Sequence, residues 1–429
     1  MITKLSLENW KSFEKGELHF DPMTVLIGTN ASGKSNALDA LMFLYRSVSG
    51  TNLTSSIRGE QNLPAVRGGL DWAARSPGNK FRIGVTVEPF QQDQLEIISE
   101  YTYTIECVIN ANRCEVNSES IIRKKYKVSK NGTRKFIQNA EVGLLRTDLC
   151  AIGSPTITAR LYNGKSGTVR FMTRSSSLLF QLNNTELALD ISEGVSLLVS
   201  DFKKIFILDP IPSHMRDYRK LSDELEPDAN NVAGVLAAFP PKEKAEIEAQ
   251  ITEFTRALPE KDIKHVFAEA VGKYNSDAML YCEEGWNADS KNQIVDARGM
   301  SDGTLRFIAI VTALLTRPIQ SLLVIEEVDN GLHPSRAKIL INMLKKLSAK
   351  RHIDLLITTH NATLLDEMGP EMLAFIAIAH RDSITGNSHI SLLDDIEPLA
   401  KLLASNSVGK LSSRGVIENA LSKLNGSQA

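Results

Sequence analysis

The hydrophobic positions at both ends of the chain follow the pattern of an α/β protein. Near the N-terminus, Leu5 and Leu7 alternate with polar residues as in a strand, and the apolar run 23–27 precedes a glycine loop and helical spacing over 36–46. The last third shows the same succession of buried strands and helices, with predicted elements at 321–327, 335–347, 353–358 and 372–379. We therefore predict that the two ends form one α/β domain that is split in the sequence.

The middle of the chain follows two other patterns. From residue 80 to about residue 189, apolar and polar residues alternate, which predicts an inserted antiparallel β unit. From 211 to about 271 the sequence is rather acidic with helical spacing, which predicts a helical insertion and an amphipathic helix over 243–258. We therefore predict a split α/β domain formed by 1–75 and 290–395, with an antiparallel β unit at 76–205 and a helical insertion at 206–289 between its two parts. A C-terminal helical segment is predicted at 396–429.

Composition narrows the class of protein but names no function. The chain has 429 residues, of which 42% are hydrophobic, and 49 basic against 51 acidic side chains give a formal net charge of −2. These values exclude a disordered chain, a collagen and a small disulfide scaffold, and they indicate no general affinity for nucleic acid. The cysteines lack a C-x-x-C pair, so we expect small buried residues in a reducing compartment. The longest apolar stretch, 307–315, is too short for a membrane span, and we predict a cytoplasmic protein with no membrane partner.

The glycine loop carries the clearest chemical signal. Residues 28–35 read Gly-Thr-Asn-Ala-Ser-Gly-Lys-Ser, which fits the phosphate-binding pattern G-x-x-x-x-G-K-S/T between a buried strand and a helix. Glycines let backbone N–H groups surround the phosphates of ATP, and the helix N-terminus adds positive potential. Lys34 is expected to reach the β- and γ-phosphates, and the Ser35 hydroxyl is expected to be a ligand of Mg²⁺. The predicted nucleotide-binding residues of this segment are Gly28, Asn30, Gly33, Lys34, Ser35 and Asn36.

Two carboxylates and a histidine follow the predicted strands of the last third. The first strand ends in Glu326 and Glu327, and adjacent acids there are costly unless each serves a cation or a water molecule. We predict that Glu326 holds Mg²⁺ through water and that Glu327 orients and deprotonates the attacking water. His360 follows the strand 353–358 and is predicted to hydrogen-bond the γ-phosphate as a catalytic residue. The alternatives are a strand that merely ends in solvent and a structural histidine.

A second anion site is predicted at the start of an apolar helix. Ser301 and Gly303 precede the helical run 305–315, where the free N–H groups of the first turn can bind a phosphate. The alternative is an ordinary N-cap, for which Ser301 or Asp302 would serve.

Taken in order, these motifs resemble the ABC-type ATPase heads of the RecF-like, SMC-like and OLD-like group. The resemblance covers roughly 1–50 and 290–365, and it implies a P-loop NTPase fold of the ABC ATPase type. It also implies a homodimer in which two head-to-tail subunits enclose two ATP molecules. In such a dimer Ser301 and Gly303 belong to the signature loop, which contacts the ATP bound to the other subunit. The stretch 330–334 is similar to the D-loop of the soluble members.

The resemblance extends to two further segments and breaks at two positions. Residues 9–13 resemble the segment that lies near the adenine, and Gln181 is a candidate for the glutamine that couples Mg²⁺ to the insertion. The alternative for this glutamine is a polar residue on the exposed face of a strand. Glu326 replaces the family's aspartate, which implies a shifted metal contact and slow hydrolysis. Asp302 and Thr304 depart from the signature pattern, which bears on how tightly the two heads close.

These predictions lead to a Mg²⁺-dependent ATPase that works as a dimeric switch. Without long coiled coils, the chain resembles the stand-alone sensor ATPases of bacterial anti-phage defence modules, which gate a partner nuclease or toxin. This is our leading hypothesis. The alternatives are a RecF-like DNA repair ATPase and an ATP-bound scaffold that barely hydrolyses.

The DNA repair alternative depends on the segment 123–135, which surrounds a predicted Asn131-Gly132 hairpin turn and contains no acid. Its cations either contact nucleic acid or guard an exposed strand edge in a solvated hairpin. They are Arg123, Lys124, Lys125, Lys127, Lys130, Arg134 and Lys135.

Overall fold

The structure is a computed structural model that describes residues 1–61, 63–90, 96–129, 133–151, 153–162, 167–259, 263–285, 293–396, 399, 402–403, 406–417 and 419–421. The chain divides into two compact units. Unit 1 consists of Met1–Ile205, Ala377–Ile396 and Leu421–Ala429, and unit 2 consists of Phe206–Ile376 and Glu397–Ala420. Each unit contains part of the predicted split α/β domain.

The strands of the described residues alternate with helices at both ends of the chain and follow one another directly in the middle. In chain order the strands are β1 (Ile2–Trp10), β2 (Phe13–His19), β3 (Met23–Ile27), β4 (Lys80–Val87), β5 (Ile97–Asn110), β6 (Arg113–Val128), β7 (Arg134–Phe136), β8 (Val142–Thr147), β9 (Thr156–Leu161), β10 (Thr168–Thr173), β11 (Ile205–Leu208), β12 (Arg219–Lys220), β13 (Ile263–Val271), β14 (Asp277–Glu284), β15 (Gln293–Asp296), β16 (Leu322–Ile325), β17 (Asp354–Thr358), β18 (Ile376–Arg381) and β19 (Ser388–Leu392). The helices are α1 (Lys34–Val48), α2 (Leu53–Arg58), α3 (Leu178–Asn183), α4 (Leu189–Lys203), α5 (Val232–Ala238), α6 (Pro241–Arg256), α7 (Asp302–Thr316), α8 (Ala337–Arg351), α9 (Ala362–Glu367) and α10 (Val408–Ser413).

Unit 1 is built on an antiparallel sheet whose described strands follow the order β10-β9-β8-β6-β5-β4-β1-β2, with β7 paired to β6. In β5, buried Tyr101, Tyr103 and Ile105 alternate with half-exposed Thr102 and Thr104, so one face of the strand lies in the core. The antiparallel character predicted for the middle of the chain is confirmed by these strand pairings. The sheet also includes β1 and β2, because β1 pairs with β4 along most of its length.

Helix α1 packs on this sheet through an aromatic cluster. Trp10, Phe43 and Phe81 are fully buried, with ring centroids 4.8 Å apart for Trp10 and Phe81 and 5.6 Å apart for Phe43 and Phe81. The Trp10 indole N–H also donates to the Asn36 carbonyl oxygen at 2.7 Å. An aromatic pair of this kind contributes about 1 kcal/mol beyond its buried area. The cluster therefore fixes the start of α1, and with it the glycine loop, against β1 and β4.

Unit 1 also contains β3, which lies next to β18, and β18 pairs with β19 in the antiparallel direction. In unit 2, β11 lies next to β16, and β16 pairs with β17 in the parallel direction expected for an α/β protein. The parallel pair brings the carboxyl ends of two strands side by side, with Ile325 opposite Ile357. Functional groups that follow these two strands therefore lie at one edge of unit 2.

The predicted helical insertion over 206–289 is only partly helical. Helix α6 agrees with the predicted amphipathic helix, but β13 and β14 form an antiparallel pair within the same range. Val266 and Ala268 of β13 are buried at alternate positions, and β13 packs against α6. The prediction of helix past the end of α6 is wrong because β13, with the sequence IKHVFAEAV, contains the helix-favouring residues Ala and Glu. Of the predicted C-terminal helical segment, α10 lies within the described residues.

The cysteines form no disulfide within the described residues, and Cys107, Cys114 and Cys282 are buried as predicted, whereas Cys150 is half-exposed. In the part of the chain that the structure describes, no helix has both the length and the hydrophobicity required to cross a membrane.

A buried carboxyl group joins the antiparallel sheet to helix α3. Glu119 of β6 accepts hydrogen bonds from the backbone N–H groups of Leu178 and Leu179 at 2.8 and 2.7 Å, and from the Tyr103 hydroxyl at 3.0 Å. Burial raises the pKa of Glu119 to about 7, and the hydrogen bonds from Leu178, Leu179 and Tyr103 only partly offset this rise. The folded state thus holds this proton more tightly than the unfolded chain does.

We predict that Glu119→Gln weakens the dependence of stability on pH. The stability that comes from the raised pKa is fully present below pH 4.5 and is lost as the pH rises through about 7, by an amount of order 3 kcal/mol. Urea unfolding midpoints at pH 5.5 and pH 8.0 should therefore differ less in the variant than in the wild type. Glu17→Gln, which alters an exposed carboxylate, is the control. Equal midpoint differences in the wild type and Glu119→Gln would contradict the prediction.

Candidate functional site

The glycine loop of unit 1 has the backbone that phosphate binding requires. It follows the fully buried strand β3 and ends at Gly33, which precedes the first residue of α1. Gly28 has a φ of 147° and Gly33 a φ of 113°, which side-chain-bearing residues rarely adopt. A Cβ on Gly28 would lie 2.2 Å from the Ala379 carbonyl oxygen, and one on Gly33 would lie 2.6 Å from the Ser388 hydroxyl. Both glycines are therefore required by conformation and by space.

The polar groups of the loop fit a bound phosphate. The Lys34 ammonium group donates to the carbonyl oxygens of Gly28 and Thr29 at 2.6 and 2.9 Å, so it lies against the loop itself. The Ser32 hydroxyl is buried and has no hydrogen-bond partner among the described residues. In the described residues no side chain caps the N-terminus of α1, and the N–H groups at such a helix start can donate hydrogen bonds to an anion. Asn30 is exposed on the same loop.

We predict that Gly28→Ala destabilises unit 1 by about 1–3 kcal/mol, because the new methyl group meets a backbone carbonyl that cannot rotate away. Gly69→Ala is a matched control: Gly69 has a φ of 56°, but its Cβ would meet nothing within 4 Å. The melting temperatures of the two variants separate the clash from the backbone strain. Equal losses in both variants would show that strain alone acts.

The predicted adenine segment is held against this loop. Trp10 is fully buried in the aromatic cluster, which leaves its ring unavailable for stacking on a base. Ser12 accepts a hydrogen bond from the Asn36 side-chain amide at 2.7 Å, and a Cβ on Gly33 would lie 3.0 Å from the Phe13 ring. Asn36, predicted to bind nucleotide, thus has its amide engaged with the protein. The segment 9–13 therefore packs against the end of the glycine loop and the start of α1.

In unit 2, the two predicted acidic residues follow β16 at a strained turn. Glu327 has a φ of 47°, which is uncommon for a residue with a side chain and is typical of functional sites. Its backbone N–H donates to the Thr358 hydroxyl at 2.8 Å, and its carboxylate accepts from the Asn330 amide at 3.4 Å. The backbone N–H of Glu326 donates to the Leu208 carbonyl oxygen at 3.2 Å. Both side chains are half-exposed, so a ligand can reach them.

The end of β17 lies beside this turn, as the parallel pairing dictates. Besides Thr358, Thr359 donates its hydroxyl proton to the Asp329 carboxylate at 2.6 Å. His360 follows as an exposed residue, so its ring is free to reach a ligand from this edge. The sequence analysis missed Thr358, Thr359 and Asp329. Polar residues directly after two buried apolar runs were the signal that would have identified them.

The predicted signature loop begins helix α7. Ser301 caps the helix, since its hydroxyl accepts from the Thr304 N–H at 3.1 Å, and both Ser301 and Asp302 are exposed. Gly303 is buried, and a Cβ there would lie 2.8 Å from the Gly331 carbonyl oxygen. The start of α7 therefore packs closely on the 330–334 stretch. The N-cap alternative describes the contacts of Ser301 correctly, and the nucleotide-binding role remains a prediction.

Gln181 lies in α3 of unit 1, not on a strand as its structural alternative assumed. Its amide accepts from the Thr173 N–H at 3.1 Å and donates to the Thr173 carbonyl oxygen at 2.9 Å. It thereby hydrogen-bonds the last residue of β10, which is the terminal strand of the sheet. In the described residues the amide serves the fold, and a role in binding Mg²⁺ remains a prediction.

The glycine loop after β3, the helix α1 and the acidic turn after a parallel strand define a P-loop NTPase of the ABC ATPase type with an inserted antiparallel β unit. Residues 23–366, which are 344 of the 429 residues, match the family described as "AAA domain, putative AbiEii toxin, Type IV TA system". The chain belongs to this family.

Curated relatives match over a short part of the chain. The DNA replication and repair protein RecF of Parabacteroides distasonis is 36% identical over 78 residues, which are 18% of this chain and 21% of that protein. The protein of the same name from Azobacteroides pseudotrichonymphae is 42% identical over 57 residues, which are 13% of this chain and 16% of that protein. The chain thus spans about a fifth of the length of these relatives.

The solved structures to which the chain is similar include two heads of SMC proteins. The SMC head domain from Thermotoga maritima has a TM-score of 0.41 at 15% identity, covering 91% of this chain and 98% of that one. An Smc head with an extended coiled coil, bound to the C-terminal domain of ScpA derived from Pyrococcus furiosus, has a TM-score of 0.45 at 13% identity, covering 94% of this chain and 99% of that one.

Proposed function

We propose that the chain binds ATP with Mg²⁺ and hydrolyses it. The observation that carries this proposal is the glycine loop 28–33, whose two glycines cannot be replaced without strain and which holds the Lys34 ammonium group. Bound Mg²⁺ would neutralise charge on the phosphate oxygens. Ser35 and Glu326 are the residues that would hold it, and Lys34 would bind the β- and γ-phosphates.

Glu327 is the proposed general base. The residue has a positive φ, and hydrogen bonds with Thr358 and Asn330 engage its backbone N–H and its carboxylate. A carboxylate fixed in this way can orient a water molecule and accept its proton. His360 would hydrogen-bond the γ-phosphate from the end of β17.

We further propose that ATP closes a homodimer. Ser301 and Asp302 at the start of α7 are exposed, so this end of the helix is accessible to a second subunit's nucleotide. Dimerisation by this route gives binding energy only in the closed state, so ATP acts as a switch.

We expect Ser301→Arg to abolish ATP-dependent dimerisation while ATP binding to the monomer is kept, because a large cation then occupies the contact. Loss of the N-cap costs about 1 kcal/mol, so the melting temperature is recorded alongside. The measurement is sedimentation with and without ATP in the Glu327→Gln background, where nucleotide persists. Ser276→Arg adds the same charge at an exposed loop position of unit 2 and is the control. A dimer that forms equally in Ser301→Arg would contradict the proposal.

The biological role that we propose is a regulatory ATPase of a bacterial anti-phage defence module that controls a partner effector. The family description, which names a toxin and a toxin–antitoxin system, supports this role. Among the described residues no group of His, Cys, Asp and Glu side chains could hold a further metal ion, so we assign the effector chemistry to another chain. Co-expression with the product of the adjacent gene tests this: we expect a complex whose stability changes between ATP and ADP, and no nucleotide dependence would contradict it.

A second candidate is a RecF-like DNA-binding ATPase, favoured by the local identity to RecF proteins and by the cations of β6 and β7. Several of these charges are neutralised in the fold: Arg123 pairs with Asp190, Lys124 with Glu141 and Arg134 with Glu88. Lys130 and the Asn131-Gly132 turn lie outside the described residues.

Filter binding of duplex DNA across a salt series separates the two candidates. A steep log–log slope that is lost in Lys125→Glu/Lys127→Glu/Lys135→Glu would establish DNA binding by this segment. A shallow slope that is the same in both proteins would contradict the DNA-binding candidate.

A further inference from the structure

A buried arginine of helix α7 contacts the backbone of the proposed metal ligand Glu326 and of the proposed general base Glu327. Arg306 is 5% exposed, although it lies only one turn after the start of the helix. Its guanidinium group donates to the carbonyl oxygen of Glu326 at 3.2 Å and to that of Glu327 at 3.5 Å. No motif of the sequence points to this residue.

The same guanidinium group also contacts the end of β11. It donates to the Pro210 carbonyl oxygen at 3.0 Å and pairs with the Asp209 carboxylate at 3.2 Å. Because β11 lies next to β16, Arg306 ties together the carboxyl ends of two neighbouring strands. A delocalised guanidinium group with several donors can hold such a set of carbonyl oxygens, whereas an ammonium group has a different geometry.

We propose that Arg306 is a positioning residue for Glu327, and that it links the signature helix to the catalytic turn. This inference rests on the proposed ATPase function. Glu327 has an unfavourable backbone conformation that persists only if its surroundings fix it. Thr358 fixes its N–H and Arg306 contacts its carbonyl oxygen, so both sides of the residue are held. Ser301 and Arg306 lie on the same helix, so a contact at the signature loop can reach the turn without any flexible connection.

The test compares Arg306→Lys with Arg317→Gln. Arg317 is also buried, lies at the other end of α7 and packs over the Phe206 ring at 4.5 Å, so it controls for loss of a buried arginine. We expect Arg306→Lys to lower kcat by about tenfold to a hundredfold, because small displacements of a catalytic group have effects of this size, while the KM and the Kd for ATP stay within about threefold. Arg317→Gln should lower the melting temperature with kcat unchanged.

Hydrogen exchange supplies a readout that does not depend on turnover. We expect the amides of Glu327, Val328 and Asn330 to exchange at least about tenfold faster in Arg306→Lys, since their hydrogen bonds then open more often, and to be unchanged in Arg317→Gln. Unchanged exchange and unchanged kcat in Arg306→Lys, or equal effects in both variants, would overturn the inference. A wild type without turnover would defeat the ATPase proposal alone, because the exchange rates still decide whether Arg306 fixes the turn.

Asp209→Ala covers the case in which Arg306→Lys does not fold. This substitution removes the exposed Asp209 carboxylate from the ion pair and leaves the buried Arg306 guanidinium group in place. A decrease in kcat and an increase in amide exchange that are both smaller than in Arg306→Lys would support the proposal. A wild-type kcat together with wild-type exchange rates in Asp209→Ala would overturn the proposal.

Discussion

Replacement of Glu327 by Gln is expected to lower ATP turnover by at least about a hundredfold while ATP binding is retained. The amide keeps the size of the side chain and its contact with Asn330, but it cannot accept a proton from water. Phosphate release and ATP affinity are measured on the same preparations, together with sedimentation. Because nucleotide then persists, the variant should also accumulate as the ATP-bound dimer.

Glu371→Gln is the matched control, since Glu371 is also a carboxylate of unit 2 but is exposed and pairs with Lys345. Turnover in this control should equal that of the wild type. The prediction also separates the ATPase from the scaffold hypothesis. A scaffold has no turnover to lose, so a wild type that binds ATP without releasing phosphate would establish the scaffold.

Lys34→Ala is expected to weaken ATP binding by about tenfold to a hundredfold and to abolish turnover with it. Hydrogen bonds to charged groups contribute about 1.5–3 kcal/mol each, and Lys34 is the cation that the loop holds at its centre. Isothermal titration with ATP and Mg²⁺ gives the affinity directly. The fold should be little affected, because α1 remains packed through Trp10, Phe43 and Phe81.

Lys4→Ala serves as the control in unit 1, where Lys4 forms a partly exposed ion pair with Glu17 at 3.3 Å. Such pairs contribute little to stability, so ATP affinity and melting temperature should stay at their wild-type values. If Lys34→Ala bound ATP as tightly as Lys4→Ala does, the glycine loop would not be a nucleotide site. The ATPase proposal would then fall.

Short-range signals explain what could be predicted. The strand β3, the glycine loop and α1 form one local unit, and within it Gly28 and Gly33 have the positive φ values that favour glycine. The alternation of β4 and β5 and the amphipathic pattern of α6 are equally local, and the structure agrees with them. The sequence did not predict the strand β13, because its helix-favouring residues outweighed the alternation of its buried positions.

Contacts between distant residues explain what could not be predicted. Gln181 followed an apolar run as a coupling glutamine would, but its amide bonds Thr173 across a turn that the sequence does not reveal. Asn36 fitted a nucleotide-binding position, yet its side-chain amide donates to Ser12, which lies in the turn between β1 and β2. In both cases the side chain's partner was chosen by packing and not by its neighbours in sequence.

The sequence by itself determined the class of chemistry, since a phosphate loop and its lysine occupy eight consecutive residues and need no distant partner to be identified. Only the tertiary structure decided how the acidic turn is held. The parallel pairing of β16 with β17 places Thr358 beside Glu327, and helix α7 carries Arg306 to the carbonyl oxygens of both acids. Hydrogen bonds between residues 20 to 31 positions apart depend on the packing of whole elements, which local patterns do not encode.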